Sequence, residues 1–215
     1  VGFLFVCYIF AFLDRINVGF AKMGMQADLG FSEAVFGLGA GIFFVSYFLL
    51  EVPSNLALAR FGARRWIARI MVTWGLLSVA TLLVKTPTQF YVLRFLLGAA
   101  EAGFFPGVML YLTQWYPARR RGRVITLFMV AIPVASILGA PLSGWILRSF
   151  NEAGALAAWQ WLYLIEGIPA ALLGVVAWFY LDDSIEKARW LSAAEKQTLL
   201  TQVPQDQSRA SAHSM

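Results

Sequence analysis

Four ionisable residues stand inside stretches of sequence otherwise apolar enough to cross a bilayer: Asp14 and Arg15 in the first such stretch, Arg94 and Glu101 in the fourth. A charged side chain near the bilayer centre costs roughly 2.5–3.5 kcal/mol on insertion scales, so such residues face a bundle interior or a watery cavity and mark an ion or substrate path. A guanidinium holds a carboxylate bidentately. A desolvated carboxyl can take up and release a proton. Arg94 and Glu101 are seven apart, which puts them on nearly one helix face, about 10 Å apart along the axis, with Gly98 between. One face can therefore bind an anion and carry a proton. Asp14 and Arg15 are neighbours and point about 100° apart, so each needs its own partner; Asn17 shares a face with Asp14 and is a candidate for it. Two readings stay open: ligand and proton binding, or neutralising ion pairs that clamp the first and fourth segments together.

The elements that must position these residues are membrane helices. The chain is 60% hydrophobic and 13% charged, with a mean hydropathy of +0.68, which excludes an ordinary soluble domain. A spanning helix needs about 20 apolar residues, and six such segments cover approximately 1–24, 35–58, 66–85, 88–116, 124–148 and 159–181. The fold expected is an all-α membrane unit over 1–181. Tyr47, mid-way along the second segment, is a hydrogen-bonding candidate for substrate or a packing residue. Glu51 lies before Pro53 near one end of that segment, within reach of the following arginines; Glu166 is placed near the opposite end of the sixth, and both are assigned structural roles.

The net charge of +5 does not point to nucleic acid, because the basic residues cluster by side. Arg60, Arg64, Arg65 and Arg69 flank the second link, Arg119, Arg120, Arg121 and Arg123 fill the fourth, and Lys187, Arg189 and Lys196 follow the last segment, against Lys22, Lys85 and Arg148 on the other side. Excess Lys and Arg in short loops marks the cytoplasmic face. Both ends of the chain are therefore expected inside, with these basic residues near lipid headgroups. No cleavable signal pattern precedes the first segment, and Val1 stands already within apolar sequence, as expected of a unit within a longer protein. Cys7 has no partner for a disulfide and reads as a small buried residue. Residues 182–201 read as an interfacial helix with a capping box at Ser192 and Glu195; residues 202–215, with His213, read as a flexible linker.

Six spans split into two sets of three, and the second set must enter from the opposite side. That is the inverted-repeat geometry of many transporters. The charged pairs fall on the first helix of each set. Small residues four apart (Gly37 and Gly41, Gly98 and Ala102, Gly103 and Gly107, Ala170 and Gly174) read as helix-packing positions. Pro53, Pro106, Pro133, Pro141 and Pro169 are candidate bends.

These motifs resemble those of the anion:cation symporters of the major facilitator superfamily, particularly bacterial tartrate and sugar-acid transporters. The resemblance runs through YIFAFLDRINVGFA, LEVPSNLALARFGARRW, RFLLGAAEAGFFPG, WYPARRRGR, WLYLIEGIPAALLG and WLSAAEK. The superfamily's loop pattern, Gly-x-x-x-Asp-Arg-x-Gly-x-Arg-Arg, is met by Arg60, Gly62, Arg64 and Arg65, with Asn55 and Ala59 replacing its glycine and aspartate. The resemblance implies the N-terminal half of a twelve-helix symporter in a bacterial inner membrane, driven by the proton gradient, without cofactor, metal or enzymatic chemistry. Asp14 and Glu101 match its proton-binding positions, Arg15, Arg94 and Tyr47 its substrate-side positions, and Glu51 and the loop residues its gate. A six-helix C-terminal domain is the implied partner, and the half alone is not expected to transport. A substrate-contacting glutamine found in span 5 of some relatives is absent from the run Ile132-Pro133-Val134-Ala135-Ser136, which leaves the acid unnamed. Two rivals remain: a proton-driven exporter, suggested by Gly139-Ala-Pro141-Leu-Ser-Gly144, and a non-transporting sensor or scaffold.

Overall fold

The computed structural model describes residues 1–150, 156–188 and 190–201. Besides a helical segment over 193–201, eight α-helices occupy them: α1 (Gly2–Leu29), α2 (Glu33–Phe61), α3 (Ala63–Ala80), α4 (Pro87–Glu101), α5 (Phe104–Trp115), α6 (Ala118–Met129), α7 (Ala131–Ser149) and α8 (Ala158–Tyr180). They join into six spans, because α3 continues through a 3-10 turn to Leu83, α4 and α5 form Pro87–Trp115, and α6 and α7 form Ala118–Ser149. The ends are set by local chemistry. Gly30 closes α1 at a φ of 67°, which glycine adopts without steric cost. Pro87 opens α4 at its first turn, where Thr86 and Gln89 cap each other's backbone amides. The linker 202–215, with His213, lies outside the described residues, as does Arg189.

Two spans are discontinuous where the sequence suggests single helices over 88–116 and 124–148. The fourth breaks at Ala102 and Gly103, with Gly103 at a φ of 84°. Pro106 in the first turn of α5 has no amide hydrogen to continue α4's ladder. The fifth breaks at Val130, just before Pro133. Pro53, Pro141 and Pro169 sit inside α2, α7 and α8 without interrupting them.

The packing displays the inverted repeat that residue identities hide. Span 2 packs on span 4 as span 5 packs on span 1; span 1 meets span 6 as span 4 meets span 3; and spans 3 and 6 pack on each other. Exchanging 1 with 4, 2 with 5 and 3 with 6 leaves these pairings unchanged. The span 3–6 crossing is close enough that a Cβ on Gly75 would stand 2.5 Å from the Ala171 nitrogen, and one on Gly174 2.7 Å from the Val72 nitrogen. Gly98 is likewise pressed against the Phe43 carbonyl and Ser46 of α2. Gly37 and Gly41, expected at a packing seam, instead have nothing within 4 Å of where a Cβ would be.

At the arginine-rich end, the one-residue link Gly62 takes a φ of 91°. The Asp183 carboxylate lies against it, accepts from the Arg64 amide at 3.0 Å and stands 3.6 Å from Arg64 Nε. Asp183 thereby supplies a negative charge at the N-terminus of α3. This contact holds 182–188 as turns, so the expected helix over 182–201 is confined to 193–201. Its capping box forms, with Glu195 accepting from Ser192 and Ser192 Oγ accepting from the Glu195 amide. Those hydrogen bonds hold the Glu195 carboxyl below the usual range.

Candidate functional site

Two groups of buried ionisable residues meet α1 from different sides. The first joins α1, α2 and α4. Arg15 forms an ion pair with Glu101, so the neighbours Asp14 and Arg15 do take separate partners. The Arg15 guanidinium also lies 5.2 Å from the Tyr47 ring centroid and 5.9 Å from that of Phe43. Its side chain is 29% exposed, whereas that of Glu101 is 5% exposed. Glu101 is the last residue of α4, immediately before the break in span 4. A carboxylate at a helix C-terminus opposes the helix dipole, and Arg15 offsets that cost.

Arg94 is different. It is 6% exposed, donates from Nε to the Gly39 carbonyl at 3.4 Å and lies 4.5 Å from the Phe43 ring centroid. No carboxylate is within ion-pair distance of it among the described residues. Phe43 therefore stands between two guanidiniums, one paired and one without an anion. Cation–π contact compensates a desolvated guanidinium by about 2 kcal/mol, less than the several kcal/mol that burying an ion costs.

The second group joins α1, α3, α7 and α8. Asp14 is 2% exposed and accepts hydrogen bonds from Asn17 at 3.0 Å, from Trp74 Nε1 at 2.6 Å and from Ser78. Asn17 is the partner its spacing suggested. Trp74 and Ser78 are not legible from α1; on α3 they are four apart, one helical turn, and so share a face. Glu166, also 2% exposed, accepts from Ser143 Oγ at 3.0 Å. The sequence places it near a membrane surface, but it enters the bundle core close to Asn17 and Asp14. Its only sequence signal was an isolated acid well inside the 23-residue α8.

Glu51 makes no ion pair among the described residues, so the contact expected between it and the basic loop is absent. Arg64 pairs with Asp183 instead, while Arg60 lies over Phe61 at 5.8 Å. Arg65 has no ion-pair contact among the described residues. A cavity of about 480 Å³ opens at this end, lined by Tyr111, Trp115, Tyr116, Arg120, Asp182 and Trp190 among others. None of the intramembrane charged residues lines it.

Oppositely entering helix triplets with ionisable groups buried in the bundle define a polytopic membrane unit of the inverted-repeat class. The family model of the Major Facilitator Superfamily matches residues 4–210, and the chain belongs to that superfamily. It is 57% identical over 206 residues to a Pseudomonas putida protein named for metabolite transport, NicT, covering 96% of this chain and 47% of that protein. It is 57% identical over 200 residues to an Agrobacterium vitis protein named for tartrate transport, covering 93% and 46%. A "Quinolone resistance transporter" of Acinetobacter baumannii is 48% identical over 204 residues, covering 95% and 47%. Among solved structures, an inward-facing, occupied bacterial homologue of the human lysosomal transporter Spinster superposes with a TM-score of 0.75 at 20% identity, covering 90% of this chain and 45% of that one. The chain spans about half the length of the relatives it matches.

Proposed function

We propose that this chain forms the N-terminal half of a secondary transporter that carries a small organic anion, such as tartrate or another sugar acid, together with protons. The observation that carries the reading is Arg94, a buried guanidinium with no carboxylate partner among the described residues. An entering carboxylate supplies the missing anion. Arg15, beyond Phe43, offers a second cationic contact if Glu101 takes a proton and releases it; Tyr47 borders that contact. Asp14 and Glu101 are the proton-binding carboxyls in this scheme. Coupling then follows from linkage, because protonating Glu101 frees Arg15 for the anion and the anion in turn favours that protonation.

The site is completed by a second six-helix domain, and alternating access arises as the two domains rock about it. The arginine-rich loops and both ends of this unit face the cytoplasm of a bacterial inner membrane. Glu51, Arg60, Gly62, Arg64 and Arg65 form the gate on that side, with Asp183 taking the role of the aspartate that Ala59 replaces. The proton gradient is the energy source, with no cofactor or metal.

The relative named for quinolone resistance supports a second reading, export of drugs or metabolites. An unpaired buried guanidinium favours an anion over a lipophilic cation, which supports uptake of an acid. The Arg15–Glu101 ion pair is also what a scaffold would use as a clamp. Uptake of labelled tartrate by the full-length protein in liposomes, with an inward proton gradient and competing sugar and aromatic acids, separates the three. Accumulation abolished by a protonophore supports symport. Failure to accumulate any acid overturns it in favour of export or a sensor.

A further inference from the structure

A third carboxyl in the bundle core has no part in the anion site or the ion pair. Glu166 Oε1 accepts from Ser143 Oγ at 3.0 Å, while Oε2 is buried with no hydrogen-bond partner. The groups facing it carry no positive charge. α1 presents Asp14 and Asn17, α7 presents Ser143, and α8 itself contributes Tyr163 one turn away. α3 brings Trp74 and Ser78, both of which donate to Asp14, and packs Val79 against Gly167 beside it. Arg94 of α4 is within electrostatic range of Tyr163 and Asp14 and makes no ion pair with Glu166.

An ionised Glu166 would bury a bare anionic oxygen next to a second carboxylate. Groups so placed neutralise rather than stay charged. A proton on Oε2 removes the charge and turns an orphan acceptor into a donor, with Asn17, whose amide already donates to Asp14, close by. We propose that Glu166 and Asp14, joined across Asn17, form a second protonation site that retains one proton between them, separate from the Glu101–Arg15 pair. The proton comes from the aqueous phase and is shared by the pair: Glu166 holds it while Asp14 accepts its three hydrogen bonds, and Asp14 binds protons as a member of this pair. The bundle core then carries two guanidiniums against two ionised carboxylates. A bound monocarboxylate therefore calls for one further proton, on Glu101. This inference rests on the proton-coupled reading only for its role in transport; the protonation itself does not depend on it.

The test is infrared spectroscopy of the full-length protein in lipid, following the carbonyl band of un-ionised carboxylic acid at neutral pH. Wild type is expected to show the band, Glu166→Gln to lose it, and Glu101→Gln to keep it. Ser143→Ala removes only the hydrogen bond to Oε1 and should shift the band, which keeps the proposal testable if Glu166→Gln does not fold. A band unaltered by both Glu166→Gln and Ser143→Ala overturns the proposal. If the band behaves as expected but no gradient-driven uptake is found in liposomes, the proton site stands and the transport reading fails. If uptake is found while the band ignores Glu166 and Ser143, the proton site alone fails.

Discussion

The carboxyls of Glu101 and Asp14 are almost equally buried, yet they are held in opposite ways. Glu101 faces a guanidinium on another span, at a junction where span 4 is broken and Arg15 is 29% exposed. Asp14 faces only neutral donors, from its own helix and from α3, and Glu166 beside it has one hydrogen-bonded and one bare oxygen. A charge partner can be exchanged for another charge, so the first arrangement suits a step in which an anion replaces a carboxylate. A cage of neutral donors fixes a group in place, so the second suits a proton store. Arg94 lies toward both and is paired with neither.

Substitutions on the two sides should therefore differ in kind. The largest effect on binding is expected from Arg94→Gln, which removes the cation with no anionic partner among the described residues; by the scale of buried charged contacts, binding of a carboxylate should weaken roughly 30-fold or more. Competition binding on the full-length protein measures this, and unchanged affinity would show that Arg94 is only a packing residue. The largest effect on stability belongs to Glu101→Ala, which leaves Arg15 without its anion and should cost about 3–5 kcal/mol in thermal or denaturant stability. Glu101→Gln retains hydrogen bonding, so it should lose gradient-driven accumulation but retain substrate exchange. Concentrative uptake like that of wild type would remove Glu101 from the coupling step.

On the other side, Trp74→Phe takes one donor from Asp14 and should cost about 1.5–3 kcal/mol of stability while leaving carboxylate affinity close to wild type. A large affinity loss would merge the two regions into one. The smallest effect belongs to Asp183→Ala, outside both groups: its partly exposed contact with Arg64 should contribute no more than about 1 kcal/mol. Transport rate, sensitive to a gate, should change more than stability. A rate equal to wild type would detach Asp183 from gating.

The six spans were legible because a bilayer imposes one simple rule on length and hydropathy. The charged residues of α1 and α4 stood out for the same reason, and the Asn17–Asp14 bond followed from helical spacing. Contacts between spans were not legible. Nothing in the local sequence says that Trp74 and Ser78 reach Asp14, or that Glu166 turns inward to Ser143, since a helix that is apolar on all sides gives no sign of which face is buried. The break after Glu101 was hidden in the same way: glycines spaced for packing and glycines that end a helix look alike until Gly103 is seen at positive φ. Asp183 was missed because the loop pattern directs attention to position 59, while the carboxylate arrives from beyond span 6.

In the proposed symport, anion binding and protonation are one linked event at α1 and α4. Calorimetric titration of the purified full-length protein with tartrate and a sugar-acid panel, repeated in buffers of different ionisation heat, measures both at once. Binding with net proton uptake in wild type, lost in Arg94→Gln, is the predicted result. Binding with no proton uptake, or binding unchanged in Arg94→Gln, would contradict it.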